Sequence, residues 1–165
     1  MGVENVKDAY TEQEWTDRER YYISEIGKIA IPPEPTTKDV MKLTSLIDAL
    51  LTEGLLDMAY IKRKYQNLDM QMKLAERETF AILKQNPPGN LTNTKLTEND
   101  IKGLVVKYLK SHPAMPGATA SIYKLVQGAE QRFVFMDALV KMLSEKKGAL
   151  ISDNGMLKIE STISN

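Results

Sequence analysis

Residues 36–85 contain no proline, and their apolar side chains recur at alternating steps of three and four. Val40, Leu43, Ile47, Leu50, Gly54, Met58, Ile61, Tyr65, Leu68, Met72, Ala75, Thr79 and Ile82 form one seam. The alternation breaks only at Gly54, where a step of four follows another, as in the stutter of a heptad pattern. Fifty residues of helix measure about 75 Å, whereas a compact domain of this chain length has a radius of gyration of about 15 Å. A rod of that length needs partners along its seam, from its own chain folding back, from other subunits, or from both. Val40, Leu43, Ile47, Leu50, Ile61, Leu68 and Met72 are therefore the expected oligomer interface.

The flanking segments carry their own stops and starts. Thr11-Glu-Gln-Glu14 has the form of a capping box, opening a short helix to about Gly27 with Trp15, Tyr22, Ile26 and Ile29 on one face. Pro32, Pro33 and Pro35 then forbid helix and mark an extended connector. Asn86-Pro-Pro-Gly89 ends the long helix, and a polar loop runs to Thr94. Thr97-Glu-Asn-Asp100 caps a second helix that stops at His112-Pro113. From Ser121 a third helix carries Ile122, Leu125, Ala129, Phe133, Met136, Val140 and Leu143, closing at Lys146-Lys-Gly148. Residues 149–159 read as a small hairpin around Asn154-Gly155.

The expected fold is mainly all-α. A long helix packs against two shorter antiparallel helices, with a small C-terminal β-hairpin. Three segments follow: an acidic N-terminal arm with short helix and proline-rich connector (1–35), a helical oligomerisation domain (36–148), to which the candidate binding residues below also belong, and a C-terminal hairpin or tail (149–165).

Enzymatic classes drop out early. The chain has no cysteine and a single histidine, His112, placed before a proline at a helix end, where it reads as a dipole partner. No phosphate loop, HExxH pair or calcium loop is present. Asp69, Glu76 and Glu78 interleave with Lys73 and Arg77, as intrahelical ion pairs do. No catalytic residue, metal or cofactor is expected. With no apolar run long enough to span a bilayer, a cytoplasmic protein without a membrane partner is expected.

A net charge of zero conceals a segregation. Residues 1–35 hold four Lys/Arg against eight Asp/Glu, while residues 58–110 hold ten against five. At about 100° per residue, Lys62, Gln66, Lys73, Arg77 and Lys84 fall within a strip about 60° wide. Arg63 and Lys64 flank its start, Tyr60 and Tyr65 lie nearby, and Lys102, Lys107 and Lys110 follow on the second helix. Such a track can follow a phosphate backbone, with aromatics stacking on unpaired bases. A solvated coiled-coil flank accounts for the same strip, and both readings stay open on charge alone.

Four stretches add a resemblance. They are Ile29-Ala-Ile31 with Thr37-Lys-Asp-Val-Met41; Met70-Gln-Met-Lys-Leu-Ala-Glu-Arg77; Leu96-Thr-Glu-Asn-Asp-Ile-Lys102 up to His112-Pro113; and Ala129-Glu-Gln-Arg-Phe-Val-Phe-Met-Asp-Ala-Leu139 with Glu145-Lys-Lys-Gly-Ala-Leu150. In this order they resemble the UvsY-type recombination mediators of tailed phages, over about residues 29–151. The resemblance implies a non-enzymatic protein that binds single-stranded DNA and loads a recombinase, with a single-strand-binding protein as a further partner. It also implies a ring of about six or seven subunits. The family's DNA contacts map onto Leu74-Ala-Glu-Arg77 with Lys73 adjacent, and Glu76 departs from the pattern. Together with the strip, this assigns DNA binding to Lys62, Arg63, Lys73, Arg77, Lys84, Lys102, Lys107 and Lys110.

Two other classes compete. One is a winged-helix DNA-binding protein in residues 96–160, with the long helix as a dimerisation coil; it requires a turn near Gly128 and a hairpin wing. The other is a phage helical structural or scaffolding protein that binds only proteins through its seams.

Overall fold

The computed structural model describes residues 11–88 and 96–163, with side chains described to Ser152. The polar stretch 1–10, and the polar loop from residue 89, lie outside the described residues. The described residues form four helices: α1 Glu12–Gly27, α2 Thr37–Gln85, α3 Glu98–Ser111 and α4 Ile122–Ile163. The fold is all-α, α2 packs against α3 and α4, and no strand occurs among the described residues. None of the described helices is long and apolar enough to cross a membrane.

The helix starts are set by short polar signals. Thr11 and Glu14 form a reciprocal capping box on α1, and Thr97 and Asp100 form another on α3. At the start of α2 the Thr36 amide donates to Asp39 Oδ2 at 3.0 Å, and the Asp39 amide donates to Thr36 Oγ1 at 3.2 Å. Each pair satisfies amides that the first helical turn leaves without partners. Hydrogen bonds from the Thr36 and Thr97 side chains and backbones hold the carboxyls of Asp39 and Asp100 below the usual aspartate range. A depressed carboxyl stabilises the fold fully above its unfolded pKa of about 3.9 and loses that contribution as pH falls through the folded value. Thr97→Ala is therefore expected to lower the thermal midpoint by about 2–4 °C at neutral pH. In circular dichroism melts that deficit should narrow as pH falls from about 3.9 through the lower folded-state value, because the unfolded chain takes up the proton first.

Helix ends follow sequence as well. Pro113 forces His112 into an extended conformation (φ −112°, ψ 147°), which ends α3. The His112 Nδ1–H donates to the Tyr108 carbonyl at 2.8 Å, and the ring stacks on Tyr108 with centroids 3.9 Å apart. The histidine thus closes the helix end as a dipole partner. Beyond it, Met115–Ala118 is a turn closed by an Ala118 N–H to Met115 carbonyl bond of 3.0 Å. Pro116 and Gly117 occupy its centre, and the φ of +84° at Gly117 is what a type II turn requires there.

The chain divides into two units. The first comprises residues 1–53 and 141–165. Its buried side chains are Trp15, Tyr22, Ile29, Val40, Ile47, Leu50, Leu143 and Leu150. Arg18 on α1 reaches Glu53 on α2 at 3.4 Å and lies over the Tyr22 ring at 5.5 Å. Lys147 on α4 pairs with Asp48 on α2 at 2.7 Å. The second unit comprises residues 54–140. Ile61, Ile101, Val105, Ile122, Val126, Ala129, Met136 and Leu139 are buried there. The division falls inside α2 and α4, whereas the sequence suggested boundaries at the proline connector and after Gly148.

Gly54 is a site of close helix approach. A Cβ built on it would lie 3.1 Å from Leu139 Cδ2 and 3.5 Å from Val140 Cγ2 of α4. The stutter in the seam therefore coincides with the place where α2 has no side chain between itself and α4.

The C-terminal hairpin is overturned. Residues 149–163 continue α4 as helix through Asn154-Gly155. Leu143 and Leu150 are both fully buried, seven residues apart, on either side of Gly148. Two helical turns bring both to one face, and a strand after Gly148 would not. Gly148 does not adopt positive φ, so it is not a left-handed cap. Its cost in a helix interior is about 1 kcal/mol, which a long helix gaining one bond per added residue tolerates. The unbroken α4 also removes the turn near Gly128 and the wing that a winged helix needs.

Candidate nucleic-acid interface

The eight cations assigned to DNA binding all lie in the second unit, and all are exposed. Lys62, Arg63, Lys73, Arg77 and Lys84 are on α2, and Lys102, Lys107 and Lys110 on α3. Two of them are engaged locally. Lys73 Nζ lies 2.7 Å from Asp69, whose hydrogen bond and charge raise the ammonium pKa. Lys102 Nζ lies 3.3 Å from Glu98. Both are exposed pairs one helical turn apart, which contribute little and exchange readily for another anion. The other six enter no ion pair among the described residues.

Packing of α2 on α3 and α4 brings some of these groups together. Arg77 and Lys102 line one cleft of about 460 Å³ with Glu76, Phe80, Glu98, Val105 and Val106. Lys110 Nζ sits 5.8 Å from the centroid of the Tyr123 ring, and the Tyr123 hydroxyl donates to Glu76. Burial, and then the hydrogen bond to that carboxylate, push the Tyr123 phenol up to about 12, so it remains a donor at any working pH. The anion beside Arg77 is thereby drawn to α4. No described contact joins Lys62, Arg63, Lys84 or Lys107 to this cluster.

Other assignments change. Tyr65, read as a stacking candidate, is half-buried and stacks instead on Phe133 of α4, with centroids 6.3 Å apart and planes within 7°. Val40, Ile47, Leu50 and Ile61, expected at a subunit interface, are buried in the chain's own core. Leu43, Leu68 and Met72 are half-buried. The seam mixes buried and half-buried positions up to Ile61 and has no buried position beyond it, and Ile82 is exposed. Large apolar side chains exposed on α2 include Leu55, Leu56, Met70 and Leu74.

Phe80, Val105 and Val106 were not singled out as site residues in the sequence. Phe80 lies off the apolar seam, on the basic side of α2, and only the packing of α3 turns that position into the wall of a cleft. No family model, curated protein or solved structure matches the chain.

Proposed function

We propose that the chain is a non-enzymatic single-stranded DNA-binding protein that works as a homo-oligomer and helps load a recombinase, as the resemblance to UvsY-type mediators implies. The observation that supports this reading best is the concentration of eight exposed cations on α2 and α3, six of them without an ion-pair partner among the described residues. Unpaired surface cations gain by counterion release when they meet a phosphate backbone, whereas a solvated coiled-coil flank ordinarily neutralises its cations in pairs. Subunit contacts in this reading fall to the exposed apolar side chains of α2, such as Leu56, Met70 and Leu74, because most of the deeper seam lies in the chain's own core. A recombinase and a single-strand-binding protein are the protein partners of this reading, and no membrane takes part in it.

Light scattering at two salt concentrations, with and without an oligonucleotide, tests both halves. We expect a species heavier than one chain, and a preference for single strands over duplex of the same length. The logarithmic salt slope should be about −0.7 for each phosphate contacted. An oligomer indifferent to nucleic acid would favour the scaffolding reading, and a monomer would overturn the assembly.

A further inference from the structure

The α2–α3 cleft has a chemistry that neither the cation strip nor the seam accounts for. Phe80, Val105 and Val106 give it an apolar lining, while Arg77 and Lys102 line it from opposite helices. Its volume of about 460 Å³ falls within the roughly 300–1,000 Å³ of small-molecule sites. The two carboxylates that also line it are engaged: Glu76 accepts the Tyr123 hydroxyl, and Glu98 pairs with Lys102 in the first turn of α3. Arg77 enters no ion pair among the described residues. A cleft with both an apolar lining and two cations suits a flat ring carried between two anions.

We propose that this cleft takes one unpaired base of a bound single strand, with its ring on Phe80 and its flanking phosphates on Arg77 and Lys102. The inference rests on the single-strand reading above and names the part of the strand that enters the fold. It supplies the aromatic surface that Tyr65, stacked on Phe133, does not. A base held in a duplex is stacked and paired on both sides and does not reach such a slot, so the cleft discriminates single strands from duplex by shape. The cations outside the cleft contribute affinity without that discrimination.

The test uses the full chain and an oligothymidylate in which one thymine is replaced by 5-iodouracil. After irradiation, the cross-linked peptide is mapped by mass spectrometry. The expected adduct is on Phe80. In parallel, Phe80→Leu should weaken binding to the unmodified oligomer about tenfold, with the salt slope unchanged because no charge is lost. Oligomers with abasic positions should bind the parent protein as weakly as the intact oligomer binds the variant. Salt-dependent binding with the adduct elsewhere, for example on Tyr108, or with Phe80→Leu indistinguishable from the parent, overturns the slot and leaves the DNA-binding reading standing. Absence of any single-strand binding overturns both.

Discussion

Changing Lys62, Arg77 and Lys84 together to alanine is expected to reduce single-strand affinity about a hundredfold at 0.1 M salt and to flatten the logarithmic salt slope by about 2. Both figures come from three lost phosphate contacts at roughly −0.7 each. These three are the informative choice because they are exposed and enter no ion pair among the described residues. Removing Lys73 or Lys102 would instead strand Asp69 or Glu98. Alanine is the best helix former, so α2 should keep its helicity in circular dichroism. Fluorescence anisotropy of a labelled oligomer across a salt series reads both numbers. Glu76→Gln should shift affinity the other way, since the amide oxygen still accepts the Tyr123 hydroxyl while the charge beside Arg77 is gone. An unchanged slope in the triple variant would move the interface off α2 and return the strip to the solvated flank.

The largest effect on stability is expected from Leu143→Ala. Leu143 is 0% exposed, in the core of the first unit. Truncating such a leucine costs about 2–5 kcal/mol through lost burial and the cavity left behind. For a chain of this size that corresponds to a midpoint lower by roughly 4–20 °C. Val134→Ala is the matched control on the same helix, because Val134 is 60% exposed and surface truncations stay within about 0.5 kcal/mol. Equal melting of the two variants would contradict the burial of Leu143.

Much of this architecture could be read from the sequence because its signals are local. The capping boxes at Thr11 and Thr97, and the prolines at 32, 33, 35, 87, 88 and 113, fix where helices begin and end with no help from tertiary packing. The C-terminal end of α4 was misread for the same reason. Asn154-Gly155 is a strong local turn signal, yet Leu150 is already buried on the helical stride two turns beyond Leu143, and the chain stays helical. Whether the seam of α2 meets its own chain or another could not be read locally either, since Val40 and Ile61 have the same spacing in both cases. The cleft was invisible because it belongs to a pair of helices: Phe80 and Val105 are far apart in sequence, and neither carries a motif.

The single tryptophan of the chain, Trp15, is 1% exposed and belongs to the first unit, whereas every assigned cation and the cleft belong to the second. The single indole therefore reports on one unit alone. Its emission follows the melting of the unit that contains α1. Tyrosines lie in both units, Tyr21 and Tyr22 in the first and Tyr65, Tyr108 and Tyr123 in the second, so the indole band alone assigns a melting signal to one unit of the wild-type chain.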